Sequence, residues 1–245
     1  MKRYYYDLHM HSCLSPCADD DNTPNNLCGM ASLAGLDVIA LTDHNTCKNC
    51  PAFFEAAKRY GLIAIAGMEL TTSEDIHVVC LFESLADAMK FSKYVDTVRF
   101  KIKNRKEIFG NQLILDGEDN VIAEEENLLS VATSISIEDA YRQVASFGGV
   151  CYPAHIDRDA NGIIAVLGDI PKNSEFKLYE LHNSDKRQDF VCRYQLSPDS
   201  LIFSSDAHCL TDIKDKENYF EISDEPYSSD LVIRKLFEML RKGKV

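Results

Sequence analysis

Short apolar runs alternate with helical segments along most of this chain, and a histidine or a carboxylate stands where nearly every run ends. Tyr4 to His9 reads as a first strand, Asp37 to Thr42 as a second, and Leu62 to Ala66 as a third. Ile76 to Phe82, Val150 to Pro153, Leu178 to Leu181 and Leu201 to Ser204 follow. Helices are predicted between them. One opens at Thr23-Pro24, with proline in its first turn, and stops at Gly35. Others run from Pro51 to Tyr60, from Leu85 to about Lys101, and from Ser136, which pairs with Asp139 as a capping box, to Phe147. A last amphipathic helix covers Ser229 to Leu240. This alternation predicts a parallel sheet with helices packed outside it. A closed barrel is favoured over an open sheet, because barrel loops converge on one mouth while an open sheet gathers only those near its switch point. The stretch 111–133 reads differently, as a short hairpin around the acidic turn Asp116 to Asn120, inserted in a single domain over 1–245.

The strand ends carry the chemistry. In a strand, residues i and i+2 share a face, so His9 and His11 can reach one metal together, with Asp7 on the same side. Asp43 and His44 follow a buried strand directly; Asp43 either ligates or holds a histidine in the right tautomer. Glu69, after Gly67-Met68, is placed to bridge two metals. His77 opens a β-branched run, His155 follows Tyr152-Pro153-Ala154, and Asp206-Ala207-His208 repeats the alternating geometry of the first pair. Arg158, three residues beyond His155, carries a planar fork suited to phosphate oxygens. His182 is placed at the pocket rather than on a metal, where it could hand a proton to a leaving group. No nucleophile elbow, P-loop or dinucleotide glycine signature is present, and the serines near these motifs lack a free base.

A net charge of −13 argues against a grip on long polyanions, so duplex nucleic acid is not expected as a partner. It leaves room for a small phosphorylated substrate, because bound metal reverses the sign locally. No apolar run approaches the roughly 20 residues that span a bilayer, and no signal core opens the sequence, so the expectation is a cytoplasmic protein without membrane or protein partners. The nine cysteines are expected as reduced thiols. Cys13 with Cys17 and Cys47 with Cys50 have spacings that could hold a structural zinc or form a redox pair.

Taken in order, the segments DLHMHS, LTDHN, GMEL, HVV, PAH and SDAH, from Asp7 to His208, resemble the polymerase and histidinol phosphatase (PHP) superfamily. The resemblance implies a distorted (β/α)7 TIM-like barrel and a phosphoester hydrolase holding two or three divalent ions, with Mn, Fe and Zn all suited to imidazole and carboxylate ligands. It implies one ligand set of His9, His11, Glu69 and Asp206, with Glu69 shared with a second metal on His77 and His155. A third metal falls to His44, His208 and an early aspartate; counting back from Thr23-Pro24 selects Asp19. The implied reaction is attack on phosphorus by a water whose pKa the cations lower from about 15.7 toward about 7. Small phosphomonoesters (a nucleotide, sugar or amino-alcohol phosphate) are the leading substrate class. Exonuclease action on short single strands is the alternative, and a non-catalytic metal-bound regulatory domain is a third.

Overall fold

The computed structural model describes residues 1–245. In chain order, β1 (Lys2–Asp7), α1 (Pro24–Leu33), β2 (Val38–Leu41), α2 (Cys50–Tyr60), β3 (Ile63–Thr71) and β4 (His77–Phe82) form the first half. There follow α3 (Leu85–Val98), a short α4 (Lys106–Phe109), the hairpin β5 (Leu113–Leu115) and β6 (Val121–Glu124), and α5 (Ile137–Ser146). The last part comprises β7 (Val150–Pro153), α6 (Ile163–Leu167), β8 (Tyr179–Leu181), α7 (Arg187–Tyr194), β9 (Leu201–Phe203), β10 (Tyr219–Ile222) and α8 (Ser229–Lys242).

Six strands form one curled half-barrel sheet in the order β10-β1-β2-β3-β4-β7. A parallel pair, β8 with β9, completes the wall. On one side Ile156 N, just past β7, donates to Glu180 O at 2.8 Å. On the other, Met10 bridges Ala207, and His11 N donates to Ala207 O at 3.0 Å. The architecture is therefore the distorted (β/α)7 TIM-like barrel.

It is not a wholly parallel one. β4 runs antiparallel to both β3 and β7, and β10 is antiparallel to β1. The cause is loop length: Thr72 to Ile76 is all that joins β3 to β4, far short of the dozen or so residues a parallel crossover needs. β3 also outruns its predicted end. It continues to Thr71, so Glu69 lies within a strand, paired with Val79, rather than at a strand terminus. β10 is an element the apolar-run reading passes over; its Tyr-Phe-Glu-Ile alternates exposed and buried as an edge strand should. The hairpin appears as expected, but its tip docks sideways. Asp119 accepts from Thr23 Oγ1 at 2.5 Å and from Asn25 N at 3.3 Å, which anchors the turn to the start of α1.

Both faces of the sheet are apolar because both are covered. Ile39 and Leu41 point outward to the helices, whereas Val38 and Ala40 join Tyr6, Leu8, Ile63, Ile65, Val79, Leu81 and Tyr152 inside the barrel. α8 closes the end away from the histidines, adding Val232, Leu236, Phe237 and Leu240 to that interior. Ile63, Ile65, Gly67 and Glu69 alternate along one strand and so share the inward face. Gly67 is held to a hydrogen atom for a side chain: a Cβ there would stand 2.6 Å from Cys80 O and 2.9 Å from Leu81 Cδ2. Gly67→Ala should therefore cost about 1–3 kcal/mol in denaturant unfolding; an unchanged midpoint would show that the strands can part there freely.

Candidate metal centre

Glu69 is the hub of the site. Its carboxylate is 1% exposed and five imidazoles surround it. Oε1 lies 2.9 Å from His77 Nδ1, 3.0 Å from His155 Nε2 and 3.4 Å from His9 Nε2. Oε2 lies 3.1 Å from His44 Nδ1 and 3.4 Å from His11 Nε2. Asp206 faces it across the cluster, with Oδ1 3.2 Å from both His9 Nε2 and His11 Nε2. Three groups of ligand atoms lie within 4.8 Å of one another: His9, His11, Glu69 and Asp206; His44, Glu69 and His77; and His11, His44 and His208. His155 joins through Glu69 Oε1.

Two of these atoms, Asp206 Oδ1 and His44 Nδ1, are buried yet lack a hydrogen-bond partner. Buried polar atoms are seldom left so. Imidazole nitrogens and carboxylate oxygens at these separations fit the edges of a cation's coordination shell, given ligand bonds of about 2.0–2.2 Å. The donor set thus suits divalent ions.

Buried partners aim the rings. Glu180 Oε2 accepts from His9 Nδ1 at 2.9 Å and from His155 N at 3.0 Å, which turns His9 Nε2 toward the cluster. Ser15 Oγ donates to Asp43 Oδ1 at 2.7 Å, so it must accept the Nδ1 proton of His11, at 3.0 Å. Asp43 also receives Ser12 N and Ser12 Oγ, each at 2.7 Å. Of the two roles expected for Asp43, the geometry matches the orienting one, exercised through Ser15, because its oxygens are spent on serines. Backbone strain is concentrated here too. His155 (φ 30°), Asp206 (φ 52°) and Asn45 (φ 53°) occupy the left-handed region without being glycine. Asn45 ties the mouth together by accepting from Thr71 N at 2.9 Å and donating to Leu129 O and Val131 O.

The electrostatics favour positive charge at the cluster. Burial raises the pKa of Glu69, but His77, His9 and His44 outweigh it and hold the group well below the usual carboxylate range. Burial works against charge on His9, yet Glu180, Asp206 and Glu69 lift its pKa well above an ordinary imidazole's. His11, opposed by burial but faced by the Asp206 and Glu69 carboxylates, is raised to about 9. His44, for which burial dominates, is lowered.

The cluster floors a cavity of about 320 Å³, lined also by Arg158, Ser130, Asn161 and Cys17. Arg158 Nη1 meets Asp206 Oδ2 at 2.5 Å, and its Nη2 donates to His182 Nδ1 at 3.3 Å. His182 is not among the lining residues; it stands behind Arg158, and burial together with Arg158 and Lys214 lowers its pKa. The expectation that His182 lines the pocket is thus corrected. Asp19 needs a correction as well. It is exposed, belongs to none of the three groups, and meets the site only where its N–H donates to His208 O at 2.9 Å. The four-cysteine zinc idea fails on geometry. Cys47 Sγ and Cys50 Sγ point into the core toward Gly67 O, Cys13 Sγ points to Leu113 O, and Cys17 Sγ faces His44 Nε2 at 3.2 Å. Sequence reasoning missed Glu180 and Ser15, and it grouped Cys17 with cysteines rather than with His44. Glu180 had a readable signal: a carboxylate in the middle of the apolar run Leu178-Tyr179-Glu180-Leu181.

The sequence profile of the PHP domain family matches residues 7–170, and the chain belongs to that family. Among curated relatives, it is 38% identical over 79 residues to a 5'-3' exoribonuclease of Haemophilus influenzae, covering 31% of this chain and 28% of that protein. It is 40% identical over 67 residues to an error-prone DNA polymerase of Nocardia farcinica, covering 27% of this chain and 6% of the polymerase. The matched lengths are thus a minor part of those proteins. Among solved structures, an amidohydrolase from Chromobacterium violaceum shares the fold over 96% of both chains (18% identity, TM-score 0.57). A putative metal-dependent phosphoesterase from Bifidobacterium adolescentis matches over 84% of this chain and 88% of its own (17%, 0.55).

Endonuclease Q, seen in complex with a 27-mer duplex carrying an abasic lesion at its active site, has the same fold over 85% of this chain and 50% of its own (15%, 0.54). That overturns the exclusion of duplex nucleic acid drawn from net charge. The fold can accept a duplex, and a whole-chain sum does not describe the field at one mouth, where Arg158 stands among the imidazoles. No helix is long and apolar enough to cross a membrane.

Two outcomes follow from the aiming contacts. Glu180→Ala should weaken metal binding about 10–100-fold in competition with a chelator; unchanged affinity would mean that His9 needs no support. Because nearby carboxylates hold both His9 and His11 protonated above an ordinary imidazole's range, a metal must displace those protons, so affinity should climb as pH rises through neutrality to at least about 9. Affinity independent of pH would contradict the protons' place on these two rings.

Proposed function

We propose that the protein hydrolyses phosphoesters in this cavity, with small phosphomonoesters (a nucleotide, sugar or amino-alcohol phosphate) as the substrate class. The observation that carries the reading is the gathering of five imidazoles and Asp206 around the buried Glu69, at the floor of a cavity of about 320 Å³ that also holds Arg158. His9, His11, Glu69 and Asp206 would hold one cation, and Glu69 with His77 and His155 a neighbouring one. Bound divalent ions of the Mn, Fe or Zn type supply a hydroxide near neutral pH and offset charge on the phosphoryl oxygens. Arg158 would leave Asp206 in part to fork the substrate's phosphate, whose remaining oxygens face the imidazole rim. His182, kept neutral, accepts from Arg158 Nη2 and so fixes the guanidinium's aim. Glu180 and the Asp43–Ser15 pair hold His9 and His11 rigid, which spares reorganisation during the reaction.

A second reading is removal of nucleotides from the end of a strand. The match to the Haemophilus exoribonuclease favours it, and its chemistry would use the same centre.

A panel of small phosphate esters and a 5'-phosphorylated RNA oligonucleotide, each assayed with Mn, Fe and Zn, tests both readings. Phosphate release should fall by about 10³-fold or more in His9→Ala, as expected when a cation that generates the nucleophile is lost. Arg158→Ala should raise KM about tenfold or more, the loss of a bidentate charged contact. Equal turnover in wild type and His9→Ala would refute the assignment. Release of nucleotides from the oligonucleotide, with no small ester turned over, would transfer it to the second reading.

A further inference from the structure

We infer that Cys17 is a thiolate ligand to a cation shared with His44 and His208, which makes this corner of the site selective for a soft divalent ion such as Zn²⁺ over Mn²⁺ or Mg²⁺. The inference rests on the reading of the cluster as a metal centre.

Of the three ligand groups, two contain a carboxylate, either Glu69 alone or Glu69 with Asp206. The third, His11, His44 and His208, has three imidazoles and no anion of its own. Three neutral nitrogens leave a dication's charge unopposed at that corner. Cys17 stands outside that group of three but beside its His44, and it is the group that can supply negative charge there. Its Sγ is 3.2 Å from His44 Nε2, and it lines the same cavity as His44 and His208. Metal bonds of about 2.0–2.1 Å to nitrogen and about 2.3 Å to sulfur place two ligands of one ion about 3.1–3.6 Å apart, for angles between square and tetrahedral. The observed separation falls in that span. His44 is 4% exposed and turns both ring nitrogens to ligating groups, Nδ1 to Glu69 and Nε2 to Cys17.

The loop that carries Cys17 is anchored for the task. Asp19 N donates to His208 O at 2.9 Å, which locks it to the segment that bears His208. Ser15 at the other side of Cys17 is held by Asp43 at 2.7 Å. Asp19, two residues on, faces solvent and contributes no ligand atom to the groups. On binding, the thiol gives its proton to solvent and a sulfur–metal bond forms. Thiolate sulfur favours Zn²⁺ over the oxygen-seeking Mn²⁺ and Mg²⁺.

The test uses full-length protein loaded with Zn²⁺ or Co²⁺, as wild type, Cys17→Ser and His9→Ala. Cobalt-loaded wild type should show a near-ultraviolet sulfur-to-cobalt charge-transfer band that Cys17→Ser lacks. Native mass spectrometry should count one zinc fewer in Cys17→Ser. In wild type, zinc should slow iodoacetamide labelling of Cys17 at least about tenfold, with the exposed Cys192 labelled as before. A band absent from metal-loaded wild type, or an equal band and zinc count in Cys17→Ser, would overturn the inference and leave Cys17 as a hydrogen-bond partner of His44 only. Wild type that binds no metal, or His9→Ala that binds as much as wild type, would instead fell the metal centre itself, and this inference with it.

Discussion

A carboxylate at 1% exposure inside a β-barrel is an expensive object, and Glu69 is that object here. Removing one charge from water costs several kcal/mol even after the protein relaxes. The chain meets that cost by bringing five histidines from four separate segments within 3.4 Å of the two oxygens. His9 and His11 come from the end of β1, His44 from the end of β2, His77 from the start of β4 and His155 from the end of β7. No local fragment could supply them. The cluster exists only once the barrel has closed, so fold and site depend on each other. β4 shows why the departure from a parallel sheet matters. Reversed in direction, it presents its first residue, His77, at the mouth where its neighbours present their last.

Around the hub lies a layer of buried groups that fix ring orientation. Glu180 serves His9 and the backbone of His155 at once, and Asp43 serves His11 through Ser15. Left-handed backbone at His155, Asn45 and Asp206 shows that positions at the mouth are held against their local preference. The far end of the barrel has the opposite character: Phe237, Leu236 and Leu240 of α8 pack against apolar strand starts, and no charge is buried among them. That end is packed with apolar side chains, while the strained backbone and the clustered charge lie at the mouth.

Much of this was legible in the sequence, for identifiable reasons. Strand ends bearing His9, His11, His44, His155, Asp206 and His208 announce themselves because polar residues interrupt apolar runs, and the alternation of runs and helices leads to the barrel. What could not be read depends on pairing across long separations. The direction of β4 follows from the short link at Thr72 to Ile76, a clue the apolar pattern does not contain. Glu180 acts on His9 across the barrel, and Ser15 is an ordinary serine until Asp43 and His11 close on it. Counting from a proline selected Asp19, whereas the loop presents Cys17 instead, because the hydrogen bond from Asp19 N to His208 O turns that part of the chain outward. The whole-chain charge misled about duplex partners, since it averages over a surface on which one small mouth decides.

The claim that everything else leans on is that Glu69 joins two cations. Anomalous X-ray diffraction from crystals grown with Mn²⁺ or Zn²⁺ tests it most directly. The account predicts at least two peaks, one on each side of the Glu69 carboxylate and each about 2.0–2.2 Å from one of its oxygens. A map with no peak there, or one in which the peaks lie on surface carboxylates while the five rings keep their hydrogen-bonded places around Glu69, would contradict it.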